Sequence, residues 1–270
     1  MLKILKRLKG KSLSDILLKI LKEFFIIYSN IFPQEFSKIK LTKNLVLSKK
    51  KGNHYLTKLD ISSYFNSCDE SKVIYWADNI MSHKFNLLGS YNVNVSYENR
   101  SFSFEGVSYE MQPNKPIIFC SDNLYKPIDW HCDFKSGYRW DKKIPYNKTR
   151  RKSDGLKGVD IKFPWELSRF QHLSVLVKAF QLAKNKQYLE EVILQITDWI
   201  LNNKSFKGVN WGCTMDVSIR LANWSIALDY IESQYDISKN IKFLFSKSIQ
   251  KHIKYIMFNL EWTHRLTSNH

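Results

Sequence analysis

Cysteine is scarce in this chain of 270 residues, and the few that occur lie far apart. Cys68, Cys120, Cys132 and Cys213 form no C-x-x-C pair, which excludes the common zinc spacings and a dense disulfide framework. Reduced, mostly buried thiols are the expectation. The adjacent His131 and Cys132 would point to opposite faces of a strand, so no metal is expected there, and nothing else calls for a cofactor. Long apolar runs are missing too. Lys19, Lys22 and Glu23 break the one near the amino terminus, which rules it out as a transmembrane span. Its basic beginning is not followed by the small-residue cleavage site of a secretory leader. There is no internal repeat and no low-complexity tract. No recognised DNA- or RNA-binding signature accompanies the positive charge, so nucleic acid is not expected as a partner.

Acidic residues are the other shortage: 42 Lys and Arg stand against 25 Asp and Glu, a formal net charge of +17. Residues 1–52 concentrate it, with 13 basic side chains and 3 acidic ones. Such a balance draws in polyanions, whether nucleic acid, anionic lipid or acidic polysaccharide, and charge alone does not choose among them. A plain lysine-rich composition explains it equally well. What the chain has in quantity is aromatic surface, 14% of residues including eight Trp, within a 44% apolar total. That is enough for a packed core. Most of the tryptophans belong there, although the same flat rings suit a surface on which sugars stack.

Leu17, Leu18, Leu21, Phe24, Phe25 and Tyr28 recur at helical spacing, with Ser14 or Asp15 available as a cap. Residues 1–32 therefore read as a basic amphipathic helix, which either docks on the domain or lies on an anionic membrane surface. A Lys-rich connection follows to residue 67, with an exposed turn at Lys49–Gly52. Residues 69–82 read as a helix with Val73, Trp76, Ala77 and Ile80 on one face. Between 85 and 120 the period changes to two, through Val93, Val95, Tyr97, Phe102, Phe104, Val107 and Tyr109. These are half-buried strands, with a turn at Glu98-Asn99-Arg100. Residues 121–162 read as irregular. Helices are then expected over 164–184, 187–203, 214–233 and 238–260, the first opened by Pro164 in its first turn. Short connections make consecutive helices antiparallel hairpins and point to an α/α repeat architecture. The expected divisions are 1–67, 68–162 and 163–270.

Four segments are dense in functional side chains. Residues 129–140, DWHCDFKSGYRW, form either an aromatic plug over the end of the helical layer or a sugar-contacting wall, with Trp130 and His131 at its centre. Residues 160–173, DIKFPWELSRFQHL, place Glu166, Arg169 and His172 at steps of three, along one edge at a helix's positive end. That edge is either an anion site or a structural ion pair. Residues 209–224 place Asp216 and Arg220 at i,i+4, the spacing of a helix ion pair, with Trp224 on the same face and Asn223 beside it. The chain ends in Ser268-Asn269-His270.

Taken together with FNLLGS at 85–90, these segments resemble the heparinase II/III family of polysaccharide lyases, in order and in spacing, over roughly residues 75–270. The resemblance implies a mainly α fold, a partial (α/α) toroid of helical hairpins preceded by a small β-hairpin region and followed, in the family, by β-sheet layers. It implies cleavage of uronate-containing anionic polysaccharide by β-elimination. Removal of the C5 proton beside a carboxylate needs a group that neutralises that carboxylate, a base, and a donor to the leaving oxygen. Asn269 matches the carboxylate-neutralising position, and His270 a position used for catalysis in some related lyases. The family's catalytic Tyr and a further His are expected beyond residue 270, so this chain reads as an amino-terminal portion. Trp130, His131, Glu166, Arg169, Asn210, Trp211, Arg220, Asn223 and Trp224 are the substrate-binding candidates, and the metal and cofactor expectation is none. A uronate C5-epimerase, which returns the proton to the other face, and a non-catalytic polyanion-binding module or remnant are the alternatives. Without a leader, the expected location is the cytoplasm or the inner-membrane surface, beside a bacterial surface-polysaccharide system, with the periplasm as the alternative.

Overall fold

The computed structural model describes residues 69–97, 103–104, 107–108, 125–153, 155–234 and 236–260. The amphipathic helix expected over 1–32, the connection after it, Cys68, Cys120, Asn269 and His270 lie outside the described residues.

The first helix, α1 (Glu70–Met81), begins at Asp69, whose carboxylate accepts from the Ser71 N–H at 3.0 Å. Val73, Ala77 and Ile80 are buried as their spacing predicts. Trp76 departs from that face: it stands 36% exposed beside Tyr75, their rings edge to face at 5.7 Å. A tight hairpin follows, with β1 (Lys84–Leu87) antiparallel to β2 (Ser90–Asn94) and Phe85 opposite Val93. Its two-residue turn, Leu88-Gly89, has φ of 51° and 82°, the doubly left-handed geometry that suits the twist of paired strands. The strand region expected from residue 85 thus begins where expected, although the alternating residues named for it start only at Val93. The first strands fall in and after the FNLLGS stretch, where Gly89 was the signal. The turn expected at 98–100 lies outside the described residues; beyond it β3 (Ser103–Phe104) pairs antiparallel with β4 (Val107–Ser108).

The stretch read as irregular contains a helix, α2 (Tyr146–Ser153). The single helix expected over 164–184 is two, α3 (Lys162–Ser168) and α4 (Leu173–Ala183). They are parted by Phe170, whose φ of 60° no right-handed helix allows. The remaining helices fall close to the expected bounds: α5 (Gln187–Asn202), α6 (Thr214–Gln234) and α7 (Lys239–Phe258), with a 3₁₀ turn at Val209–Trp211. Ser238 caps α7 by accepting from the Ile241 N–H at 3.4 Å. Thr214 Oγ1, at the start of α6, donates to the Asn259 carbonyl just past the end of α7 at 3.2 Å, which sets the two helices antiparallel. α4 packs on α1, α5 and α6, and α5 packs on α7. The protein is mainly helical, with small antiparallel ribbons. One apolar core, from Val73 to Tyr255, runs through both. Among the described residues no helix is long and apolar enough to cross a membrane.

Candidate functional site

The break between α3 and α4 is where the site is built. A left-handed phenylalanine costs on the order of 1–3 kcal/mol and persists only where its surroundings impose it. Here three side chains from other helices hold the corner. Trp199 Nε1 donates to Ser168 Oγ at 3.1 Å, Arg220 Nη1 to the Ser168 carbonyl at 3.2 Å, and Asn223 Nδ2 to the Arg169 carbonyl at 2.7 Å. The Phe170 ring stacks on Trp130 at 5.1 Å and meets Trp224 edge-on at 5.3 Å. The corner in turn presents Arg169, whose side chain keeps 22% of its surface. Its Nη1 donates to Glu166 and its Nε to Asp216 Oδ1 at 2.5 Å. Partial burial works to lower the Arg169 pKa, but the hydrogen bond to Asp216 and the charges of Asp216 and Glu166 outweigh it and hold the guanidinium above its ordinary value. The result is a charged, planar donor fork fixed between two carboxylates at a water-accessible corner.

Two expectations are corrected here. Of the expected Glu166–Arg169–His172 edge, the Glu166–Arg169 pair forms but His172 does not join it, because α3 ends at Ser168, and the pair sits at the helix's carboxy-terminal end instead of its positive end. Arg169 caps that carboxy-terminal end, and His172 turns to Gln195 Oε1 at 2.7 Å and lies edge-on to Phe85 at 4.7 Å. Nor do Asp216 and Arg220 form the hydrogen-bonded i,i+4 pair. Asp216 reaches across to Arg169, and Arg220 points into the core. There Arg220 Nε donates to His252 Nε2 at 3.0 Å and Nη2 to the Asn210 carbonyl at 3.0 Å. Its guanidinium lies 4.1 Å from the Trp199 ring centre and 5.6 Å from that of Trp211. His252 Nδ1 faces the Ser248 carbonyl at 2.8 Å, so the neutral tautomer with its proton on Nδ1 fits both contacts. Burial pushes Arg220 down to about 9. Burial, and then the Arg220 charge, hold His252 neutral, well below its ordinary value.

Of the other candidates, Trp130, His131, Asn210, Trp211, Arg220 and Trp224 are at most 4% exposed. In this structure they offer no face to a sugar, and Trp130, Arg220 and Trp224 brace the corner from behind. Glu166, Arg169 and Asn223 are the members of the set with surface remaining. Residues 129–140 fold as a plug: Asp129 pairs with Arg139 in the interior, and Asp133 accepts from Ser136 Oγ at 2.6 Å and from the Asp160 N–H at 2.9 Å. Asn210 Nδ2 donates to the Trp130 carbonyl at 2.7 Å. Gly208, at φ 75°, lies against the plug, where a Cβ would sit 3.1 Å from His131 Nε2.

What the sequence reading missed is a polar stripe down α5. Glu191, Gln195, Asp198 and Asn202, at steps of four, three and four, are all buried. Asp198 Oδ2 accepts from Ile128 N–H (2.8 Å), Tyr125 Oη (3.0 Å) and Trp130 Nε1 (3.1 Å), and Oδ1 accepts from Asn202 Nδ2 (2.6 Å). Burial raises its pKa to about 6 against the pull of those donors. Further up the stripe, Glu191 Oε1 takes His83 Nε2 at 2.9 Å and Gln195 Nε2 at 2.8 Å. Cys132 and Cys213 are free thiols, and among the described residues no group of three or more His, Cys, Asp or Glu could hold a metal ion.

These buried groups fix the response to pH. Burial lowers His131 to about 3 and His172 to about 4, and His252 also lies well below 6.5. Each takes up a proton on unfolding, so the stability it contributes above pH 6.5 is lost as pH falls through that value. Asp198 has the opposite sign, since its folded form is protonated first between about 6 and 3.8. Burial raises Asp129 as well, with the same sign as Asp198, and three histidines outweigh these two carboxylates. The melting temperature is expected to be lower at pH 5 than at pH 7.5, with a shallower dependence in His172→Gln; a rise on acidification would show that these histidines are not held neutral.

The architecture is thus that of a mainly helical protein presenting one buttressed arginine, flanked by two carboxylates, to solvent. A family model described as Heparinase II/III N-terminus matches residues 41–270, and the chain belongs to that family, whose members are polysaccharide lyase-like proteins with anionic polysaccharide as the indicated substrate. No curated protein and no solved structure matches the chain.

Proposed function

We propose that this chain is the substrate-receiving, amino-terminal portion of a lyase that cleaves uronate-containing polysaccharide by β-elimination, its helical hairpins forming the start of an α/α toroid. The observation that carries the reading is the family match over residues 41–270. The Arg169 corner fits it chemically. A guanidinium held by two carboxylates keeps its charge at every relevant pH and has surface left for an anionic group of the polymer.

In this reading Asn269 hydrogen-bonds the uronate carboxylate and His270 stands beside it. Neutralising the carboxylate stabilises the enolate-like dianion that forms as the C5 proton leaves. A base, the Tyr that the family resemblance places beyond residue 270, takes the C5 proton, and the electron pair of the C5–H bond becomes the C4=C5 double bond. The C4–O bond breaks, and the leaving oxygen is protonated. Arg169 binds a neighbouring anionic group of the polymer and sets the register. The protein works in the cytoplasm or at the inner-membrane surface, where the basic residues 1–32 would meet anionic lipid.

The test uses the full-length product of the gene that encodes this chain, with uronate polysaccharides as substrates. Ultraviolet-absorbing unsaturated ends are expected to accumulate. Asn269→Ala should lower kcat by on the order of 100-fold, the scale of one lost oxyanion donor, with glycan affinity kept. Arg169→Gln should raise KM about tenfold with kcat little changed, the mark of a ground-state contact. Inversion at C5 without new ends would identify an epimerase. Binding without turnover would identify a binding module.

A further inference from the structure

α7 carries Lys239, Lys242, Lys247, Lys251 and Lys254 and no acidic residue along its 20 positions. Lys242 reaches Asp236 at 3.4 Å. Lys247 and Lys251 are different. They sit one turn apart on one face, beside Lys204 from the connection that follows α5, and among the described residues no carboxylate pairs with any of the three. Their mutual crowding is felt: burial first, then Lys247 and Lys204, lower the pKa of Lys251. At the amino-terminal end of the same face is Phe243, 64% exposed, with the Lys247 ammonium 5.3 Å from its ring centre. The face points away from the core, since Phe243 lies half a helical circumference from the fully buried His252. From Phe243 to Lys251 it runs about 12 Å along the axis at ~1.5 Å per residue.

Like charges this close oppose the folded state unless a counter-charge arrives. An aromatic ring in line with unpaired ammonium groups suits a chain of sugar rings bearing anionic groups: the ring packs on a sugar face and the lysines meet carboxylate or sulfate. A membrane is a poorer match, because Ser246 and Gln250 interrupt this face and Phe243 is its one exposed large apolar side chain before Lys251.

We propose that Lys204, Lys247 and Lys251, with Phe243, form a second binding surface for the anionic polysaccharide, on a helix face that takes no part in the Arg169 corner. The inference rests on the family reading of the substrate. It assigns this surface to holding the polymer, so it sets affinity and salt dependence and leaves the chemical step alone.

The experiment compares the wild-type full chain with Lys204→Gln/Lys247→Gln/Lys251→Gln. A control of equal charge loss, Lys84→Gln/Lys148→Gln/Lys186→Gln, is taken from exposed positions elsewhere. Binding of heparin and of a carboxylate-only polyuronate is titrated at several salt concentrations. The cluster variant is expected to bind on the order of tenfold more weakly. Its slope of log affinity against log salt should flatten by roughly two to three ions, by analogy with the counterion release seen for polyanions. The control should shift both far less, and Phe243→Ala should weaken binding without changing the slope. Equal losses in cluster variant and control would overturn the proposal by reducing it to net charge. So would unchanged glycan binding, or a loss confined to anionic vesicles or duplex DNA. If the wild type cleaves polyuronate while the cluster variant binds it normally, this surface alone is refuted. If no anionic glycan binds the wild type, the substrate reading falls with it.

Discussion

Arg220→Met is expected to lower the stability of the domain by about 3–5 kcal/mol, the scale of losses when one partner of a buried charged network is removed. Two effects oppose each other. Burying a cation with no carboxylate in hydrogen-bond contact is costly, as the fall of its pKa to about 9 shows, and methionine removes that cost. Methionine also leaves His252 Nε2 and the carbonyls of Ser168 and Asn210 without the donors that reach them now. Each buried acceptor so orphaned costs roughly 1–3 kcal/mol, and the stacking of the guanidinium on Trp199 is lost as well. Three acceptors outweigh one relieved charge. Arg220→Lys keeps the charge but not the planar fork that serves three acceptors in three directions, so it should be no better tolerated. The check is the urea midpoint at an unchanged m-value. A wild-type midpoint in Arg220→Met would mean that the fork does not brace the corner.

Asp198→Ala should be comparably severe, at about 3–5 kcal/mol or failure to fold. The carboxylate ties α5 to the segment that leads into the plug through the Ile128 N–H and the Trp130 indole. Alanine strands both in the interior, whereas Asn202 Nδ2 keeps its bond to the residue 198 carbonyl and Tyr125, half-buried, recovers water. Asp198→Asn keeps an acceptor oxygen and should lose only about 1–2 kcal/mol. It should also remove a contribution that strengthens the protein as pH falls towards 4, so its acid destabilisation becomes steeper. Hydrogen exchange gives a local readout. The Ile128 amide is expected to be protected in the wild type and in Asp198→Asn, and fast in Asp198→Ala. Equal protection in all three would show that the plug is anchored elsewhere.

The contrast between what periodicity revealed and what it hid has a physical basis. α5, α6 and α7 repeat apolar residues at helical spacing over four turns or more, so local pattern and tertiary burial agree. α2 is too polar, in Asn147-Lys148-Thr149-Arg150-Arg151-Lys152, to show any period. The break at Phe170 carries no Gly or Pro to announce it. Its left-handed backbone is imposed by Trp199, Arg220 and Asn223, which are distant in sequence. The same holds for the ion pairs. Helical spacing offered Asp216 to Arg220, but burial of Arg220 freed the carboxylate for Arg169. Motif resemblance singled out these segments; only packing separated Glu166, Arg169 and Asn223, which keep surface, from the tryptophans behind them.

The bonds that hold the Ser168–Phe170 corner span 31, 52 and 54 residues. Contacts of that sequence separation form only after large loops have closed, so they belong to the slow, late part of folding. A growing chain that has made α3 and α4 does not yet own a fixed Arg169. The arginine is set in place only once α5 and α6 have docked, so a half-made domain carries the same side chain without its fixed geometry.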